Sequence, residues 1–385
     1  MNTTHSDILI ISPFVEDVST SRPMNLFNYF KLRNYDVNVI YCKFSHSLKK
    51  NRIINKDNFI PVNSSKYNRN ISFARFISHF IFSLNVIKLI RIYKPKVLLI
   101  NFPPNILILP LLLSKIVYKS KIVIDIIDFW PESFPIHNPL FKKVFNISAG
   151  FYLKFLRFVG FENADLILTQ SNIFINTSLF KYKNKTKLIG LAKNSSIDID
   201  IANTSKVMTF CYIGNIGKIY DFDSLIKILS HLGKSQEVKL NIIGLGENLD
   251  YLIDSLNENK IKYEYHGVIY DELKKSKIIS ASWFGYNGYK ESTNVSISYK
   301  FVDYVSYFIP VLNSANGDTW KVVEADKLGI NFKSYNFENL FSKLSSIKYS
   351  DIIKMKLTVQ DYYIHNYSLQ SMYDQLDKCK FKSLY

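Results

Sequence analysis

Short unbroken apolar runs alternate along this chain with stretches in which apolar positions recur at helical spacing. DILIIS (7–12), DVNVIYC (36–42), KVLLINF (96–102), KIVIDIID (121–128) and ADLILTQS (164–171) are runs of β-forming residues. Each predicts a buried strand. MNLFNYFKLRN (24–34), SFARFISHFIFSLNVIKLIRIY (72–93) and a stretch from about residue 139 to 160 predict helices between them. The pattern starts again at KVMTFCYIG (206–214), VKLNIIG (238–244), IKYEYHG (261–267), KIISASWFG (277–285) and IPVLNS (309–314), all predicted strands. Helices are expected at FDSLIKILSHL (222–232) and NLDYLIDSLNEN (248–259). Strands alternating with helices imply parallel sheets covered on both faces. The Asn-, Ser- and Asp-rich segment KNSSIDIDIANTSK (193–206) separates the two blocks. The expectation is an α/β chain of two doubly wound domains, residues 1–195 and 196–365. A C-terminal helix over 366–385 is expected to pack back toward the first.

The most apolar segment, VLLINFPPNILILPLLLSKIV (97–117), is interrupted by Pro103, Pro104 and Pro110. A spanning helix needs about 20 uninterrupted apolar residues, so this segment reads as a strand, a turn and a core helix. A chain of 385 residues, 47% hydrophobic, has room for two cores. The start, MNTTHSDILIISPF, lacks the basic and long apolar regions of a signal peptide and is not read as one. Cys42, Cys211 and Cys379 are too widely spaced for a disulfide framework or a zinc site, as in a cytosolic protein.

Charge separates the two blocks. Residues 1–190 hold 26 Lys+Arg against 10 Asp+Glu, a net +16; residues 191–385 hold 23 against 22, a net +1. All seven arginines lie in the first block. A basic first domain suits an anionic membrane surface, a phosphorylated acceptor or nucleic acid. A merely solvated Lys-rich surface is the plainer alternative.

In open parallel sheets, ligands bind beyond the carboxyl ends of the strands, and the candidate chemistry falls there. DFWPES (128–133) ends a strand with Asp128, Trp130 and Glu132. Either these meet a substrate, or Asp128 caps the next turn and Trp130 is core. GNIGKIYDFDSLI (214–226) is strand, turn and helix, with Gly214 and Gly217 able to bring backbone amides close to an anion. It has neither the dinucleotide fingerprint nor P-loop spacing. GLGEN (244–248) repeats the device one strand later, so the two turns converge on a phosphate-bearing ligand. Asp221-Phe222-Asp223 mimics a metal-binding Asp-x-Asp but opens a helix, where carboxylates favour the macrodipole, so no metal is assigned. In SISYKFVDYVSYFIPVLNS (296–314), Lys300 and Asp303 share a helix face. An ammonium there can neutralise a phosphate and a carboxylate can accept ribose hydroxyls; a surface ion pair is the alternative.

Taken in order, DIIDFWPES, NADLILTQS, FCYIGNIGKIYDFDSLI, LNIIGLGEN, YHGVIYDEL and ISYKFVDYVSYFIPVL make nearly the whole chain resemble a family 4 glycosyltransferase of the GT-B fold. The closer similarity is to bacterial sugar transferases of O-antigen and capsule assembly. The resemblance implies two Rossmann-like domains facing across a cleft, an N-terminal one for the acceptor and a C-terminal one for the nucleotide-sugar. It implies retention of anomeric configuration, no metal and no cofactor. The family's ribose-binding Glu falls on Asp303, and its Pro-Ser-Lys on Ser298, Tyr299 and Lys300. The first Glu of the family's spaced pair falls on Val295, with Glu291 off register. The family's Arg and Lys after the first glycine fall on Asn215 and Tyr220, which leaves Lys218, Lys300 and the amides near Gly217 and Gly246 for the diphosphate. Glu247, Val268 and Ile269 are implied near ribose and base. Asp128 and Glu132 are implied to orient or deprotonate the acceptor, with Trp130 stacking on a sugar. Arg22, preceded by Ser19 to Ser21, takes the acceptor-binding position of the N-terminal loop.

The expected function is therefore transfer of a sugar, from a UDP-sugar or similar donor, to a polyprenyl-diphosphate-linked glycan for cell-surface polysaccharide. The expected place is the cytoplasm, peripheral on the inner face of the plasma membrane, with no nucleic-acid partner. Two alternatives stand beside it. A sugar-nucleotide epimerase on the same scaffold would need an acid/base pair, for which Asp128 and His266 are the only hints, His266 also suiting a structural role. A non-catalytic nucleic-acid- or membrane-binding protein would use the aromatics among basic residues in FARFISHFIF and FYLKFLRF.

Overall fold

A computed structural model describes residues 6–15, 21–69, 72–134, 139–193, 199–293 and 295–381. Residues 16–20, including Ser19 of the loop before Arg22, and 194–198 of the segment between the blocks lie outside the described residues. The chain forms two compact units: Met1–Gly190 with Tyr373–Tyr385, and Leu191–Met372.

Unit 1 begins with β1 (Ile8–Ser12), α1 (Arg22–Leu32), β2 (Val37–Cys42) and β3 (Phe59–Val62). There follow α2 (Phe73–Tyr93), β4 (Val97–Phe102), α3 (Ile108–Tyr118) and β5 (Lys121–Ile126). Next come α4 (Pro139–Ile147), α5 (Ala149–Asn163), β6 (Leu166–Thr169), α6 (Asn172–Asn176) and β7 (Thr186–Leu188). The seven strands form one parallel sheet in the order β3-β2-β1-β4-β5-β6-β7. β1 and β4 are buried along their whole length, which is why they read as unbroken apolar runs. Phe82, Val86 and Ile90 of α2, Leu111 of α3 and Leu156 of α5 pack one face. The apolar segment 97–117 resolves into β4, a turn and α3. Among the described residues one helix, α2, is long and apolar enough to cross a membrane by length and composition. Its Ser78, Phe82, Val86 and Ile90 face is nonetheless buried in this core.

Unit 2 runs β8 (Met208–Ile213), α7 (Phe222–Leu232), β9 (Val238–Ile243), α8 (Leu249–Glu258) and β10 (Lys262–Tyr265). It continues with α9 (Glu272–Ser280), β11 (Phe284–Asn287), α10 (Tyr299–Ser306), β12 (Val311–Asn313), α11 (Asp318–Ala325) and β13 (Gly329–Asn331). The last elements are α12 (Glu338–Ser346), α13 (Tyr349–Asn366) and α14 (Leu369–Asp377). The six strands are parallel in the order β10-β9-β8-β11-β12-β13. α7 shows why such segments fold as they do. Asp221 caps it by accepting from Ser224 N at 3.1 Å. Leu225, Ile228, Leu229 and Leu232 then fall on one face and are fully buried. Burial of those four side chains is worth roughly 6–12 kcal/mol, at about 1.5–3 kcal/mol each.

Residues 277–285 are not one strand. Asp271 caps α9 through Leu273 N and Lys274 N, so the helix runs to Ser280 and the strand is confined to Phe284–Asn287. The predicted helix over 139–160 is two helices, α4 and α5. Residues 373–381 pack against α1 in unit 1. Asp377 accepts from Tyr29 Oη at 2.8 Å and pairs with Arg33 at 2.6 Å, and Phe381 meets the Phe30 ring edge-on at 5.0 Å.

Candidate functional site

Each sheet has one point where the strand order reverses, and open α/β sheets bind ligands there. In unit 1 it lies between β1 and β4, in unit 2 between β8 and β11.

In unit 2 the reversal opens a gap. β11 pairs with β8 only at Phe284↔Phe210 and Gly285↔Cys211, so the strands part before β8 ends. The exposed backbone needs other partners. Tyr304 Oη of α10 takes Ile213 N at 3.1 Å and reaches Cys211 O and Tyr286 O. Lys300 Nζ, one turn earlier, donates to Tyr212 Oη at 2.5 Å, Ile213 O at 2.8 Å and Asn215 O at 3.3 Å. It lies 3.8 Å from the ring centroids of both Tyr212 and Tyr220. Burial drives its pKa well below the ordinary lysine value, offset only in part by Asp303. Ser298 caps α10, accepting from Phe301 N at 3.3 Å while donating to Asn287 Oδ1 at 2.7 Å.

Three glycine turns stack above this gap. Gly214 has φ +98°, Gly244 +143° and Gly267 +62°, the left-handed region where glycine is favoured. Gly214 N donates to Ile243 O at 2.8 Å, Ile216 N to Leu245 O at 2.9 Å, and Gly244 N to Gly267 O at 2.8 Å. A Cβ on Gly244 would stand 1.9 Å from Gly214 O, and one on Gly246 would stand 2.3 Å from Ile216 O. Close backbone packing therefore requires glycine at both. Among the described residues the amides of Asn215 and Gly217 have no hydrogen-bond partner. They sit in the turn leading to α7. Two such donors in one turn are able to take an anion.

The remaining residues singled out in this half are arranged unevenly. Lys218 is exposed and stands 3.5 Å from Glu247 Oε2, so these two neutralise each other on the rim. Asp303 is paired with Lys193, a partner that sequence reasoning missed. Tyr299 and Val268 are exposed, while Ile269 packs toward the α10 core. Asp221 is the α7 cap, and Asp223 accepts from Tyr251 Oη. His266 contacts Asn241 Oδ1 at 3.3 Å and lies 3.9 Å from Glu264. Burial lowers its pKa, which suits a structural imidazole.

In unit 1 the DFWPES loop leaves β5 near the reversal point. Asp128 accepts from Phe129 N at 2.8 Å and from Trp130 Nε1 at 3.2 Å. Trp130 is 6% exposed, stacks on His79 at 5.7 Å and carries the Arg75 guanidinium 4.5 Å above its ring. The capping alternative for Asp128 and the packing alternative for Trp130 are thus both realised, with Asp128 still half-exposed. Glu132 takes a bidentate bond from Arg157, at 2.6 and 2.8 Å, and Arg157 also holds Trp130 O at 2.6 Å. Burial pushes the Glu132 pKa up, but Arg157 and Lys154 outweigh it and hold the carboxyl below its usual range. Glu132 is therefore fixed and ionised. His79, Arg75 and Arg157 escaped the sequence reading because each meets the loop from a distant helix.

Arg22, expected from the sequence at the acceptor, is engaged within unit 1 in the structure. It is 8% exposed, and its Nε and Nη2 hold Asp125 on β5 at 2.8–3.0 Å while Nη1 donates to Ile189 O and Gly190 O. Asp125 is fully buried in mid-strand, and Asn101 Nδ2 also donates to it at 2.7 Å. A carboxylate inside an apolar strand demands a partner, and that was the signal available in the sequence.

No known family profile matches the chain, and no curated protein matches it in sequence. Solved structures do match. Sucrose-phosphate synthase from Thermosynechococcus elongatus superposes with TM-score 0.74 at 12% identity, over 98% of each chain. HepE from Anabaena, in complex with UDP, gives 0.65 at 12% identity, over 98% of this chain and 100% of that one. The lipopolysaccharide outer core galactosyltransferase WaaB gives 0.64 at 13% identity, over 98% and 99%. With its two all-parallel sheets of seven and six strands and these matches along the full length, the chain has the GT-B fold.

Proposed function

We propose that this protein is a glycosyltransferase that moves a sugar from a nucleoside diphosphate to an acceptor. The observation that carries this is the donor-rich gap at the β8/β11 reversal, with Lys300 beneath stacked glycine turns. HepE, a neighbour of the same fold, has been solved with UDP and with UDP-glucose. Unit 2 takes the donor. When the bond between the anomeric carbon and the diphosphate breaks, its electron pair leaves with the diphosphate. Lys300 and the amides of Asn215 and Gly217 stabilise that growing charge. Asp303, drawn away from Lys193, accepts the ribose hydroxyls, with Glu247, Val268 and Ile269 nearby. No metal or cofactor enters the proposal.

Unit 1 takes the acceptor. Its hydroxyl oxygen bonds to the anomeric carbon with retention, and Asp128 orients that hydroxyl and accepts its proton. Glu132 serves through Arg157, holding the Trp130 loop in place. We assign the acceptor to the lipid-linked glycans of O-antigen or capsule assembly, and the protein to the cytoplasmic face of the membrane. The net charge of +16 on residues 1–190 supports this, as do Phe151, Phe155 and Phe158, exposed on one face of α5.

Calorimetric titration with UDP, GDP, ADP and dTDP tests the donor half. One nucleotide binds, and Asp303→Ala weakens it by tenfold or more, about 1.4 kcal/mol. Binding of none by the folded protein refutes the assignment.

A further inference from the structure

On the β11 side of the unit 2 gap, three neighbouring strands each end on asparagine: β11 on Asn287, β12 on Asn313 and β13 on Asn331. Their register sets the three side by side, Asn287↔Asn313 and Asn313↔Asn331. Asn287 and Asn313 are fully buried, where an unpaired amide is costly. The three satisfy one another as a row. Asn287 Nδ2 donates to Asn313 Oδ1 at 2.7 Å, Asn313 Nδ2 to Asn331 Oδ1 at 2.7 Å, and Asn331 Nδ2 to Trp320 O at 2.8 Å. The backbone dictates this direction, because a carbonyl only accepts and an amide N–H only donates. Trp320 O requires the nitrogen of Asn331, and Ala315 N, 3.2 Å from Asn313 Oδ1, requires the oxygen of Asn313. Asn287 must then give its nitrogen to Asn313 and turn its oxygen toward α10. The Ser298 hydroxyl donates to that oxygen at 2.7 Å.

The direction matters at Ser298. A hydroxyl has one proton and two lone pairs. With the proton committed to Asn287, both lone pairs accept: from Phe301 N at 3.3 Å, which caps α10, and from Tyr289 Oη at 3.2 Å. Each of these bonds bears on Lys300. The cap fixes the first turn of α10, which carries Lys300. Tyr289 packs its ring on Tyr220 at 5.0 Å, and Lys300 Nζ lies 3.8 Å from the Tyr220 centroid. We propose that Asn287, Asn313 and Asn331 are positioning residues for the diphosphate. Acting through Ser298 and Tyr289, the row sets where Lys300 places its amine. A fully satisfied polar row of this kind rigidifies what it touches. The diphosphate in this inference rests on the transferase assignment; the positioning of Lys300 does not.

The test uses the full chain, with UDP and uridine as probes. Asn313→Ala interrupts the row at its centre and should weaken UDP binding by about tenfold. Uridine, which has no diphosphate, should bind it as it binds the parent. Asn331→Ala, at the half-buried end of the row, should act in the same direction by about threefold. Asn336→Ala, exposed on the turn after β13, is the control and should change neither probe. Melting curves show which variants fold, and if Asn313→Ala does not, Asn331→Ala decides alone. Lys300 is also read directly, without nucleotide, by its rate of acylation with an amine-specific reagent followed by peptide mass spectrometry. That rate should rise in both row variants and stay unchanged in Asn336→Ala. Undiminished UDP affinity in the folded row variants, or equal losses for UDP and uridine, overturns the proposal and leaves the row a packing device. If the parent binds neither probe but acylation quickens in the row variants, the transferase assignment fails and the positioning of Lys300 stands. If the parent binds neither and acylation is unchanged, both fail.

Discussion

Arg22 and Asp125 offer the sharpest test of how unit 1 is held together. Arg22→Ala removes every donor that Arg22 gives to Asp125, along with those on Ile189 O and Gly190 O. Asp125 is fully buried and keeps only Asn101 Nδ2, at 2.7 Å. Breaking one side of a buried pair typically costs about 3–5 kcal/mol, because an uncompensated charge remains. For a unit of about 200 residues, each kcal/mol moves the melting point by about 2–4 °C. The unit 1 transition should therefore fall by roughly 6–20 °C in differential scanning calorimetry. The unit 2 transition, followed separately because the chain has two units, should stay put. Replacing both partners, as in Arg22→Met with Asp125→Leu, should recover most of the loss, since no charge is left buried. A fall of less than about 3 °C in Arg22→Ala, accompanied by weaker acceptor binding, would refute this reasoning and return Arg22 to the acceptor site.

Two further outcomes follow from unit 2. Gly244→Ala should weaken UDP binding at least tenfold, about 1.4 kcal/mol, because its Cβ meets the Gly214 backbone; Gly267→Ala carries left-handed backbone strain but has open space around its Cβ, and should weaken it less. Lys356, 1% exposed on α13 and donating to Thr204 Oγ1 and Ser280 O, has its pKa lowered by burial to about 7. Between that value and the unfolded one near 10.4, the unfolded chain binds a proton that the folded chain does not, so stability rises with pH. Denaturant titrations over pH 7–9 should give a slope about 1.4 kcal/mol per pH unit steeper in the parent than in Lys356→Met; equal slopes would show that Lys356 keeps its charge when folded.

The strands that decided the fold class were legible because parallel strands covered on both faces are apolar throughout. β1, β4 and β8 are buried end to end. Phe59–Val62, Thr186–Leu188 and Gly329–Asn331 were not, being edge strands of three or four residues with no periodicity to show. Residues 277–285 misled because Ile278, Ile279, Trp283 and Phe284 read as one run, whereas Asp271 starts a helix through its first members. At the site the glycine turns were legible, since left-handed backbone leaves a mark in sequence. The pairing of Asp303 with Lys193, 110 residues apart, left none. Nor did the convergence of Tyr212, Tyr220 and Lys300, because a buried tyrosine looks like any other core aromatic until its hydroxyl has a partner.

The buried cations of the two units explain why one is structural and the other is assigned to a ligand. Arg22 has a carboxylate in contact, and its Nη1 donates to two carbonyls. Its charge is satisfied, and nothing is gained by an arriving anion. Lys300 has only neutral oxygens and two aromatic faces around it. Among the described residues it is in no ion pair, because Asp303, the nearest candidate on its own helix, is engaged by Lys193. Burial disfavours the charge of such an amine. An anion arriving at the amides of Asn215 and Gly217 would supply what the fold withholds, so Lys300 binds its proton more tightly as the diphosphate settles. Donor binding should therefore take up protons from the buffer. That uptake is read directly as a dependence of the binding enthalpy on buffer ionisation enthalpy, and it should vanish in Lys300→Met. A binding enthalpy independent of buffer in the parent would mean that Lys300 is already charged without its ligand, and that its three oxygens and two rings are partners enough.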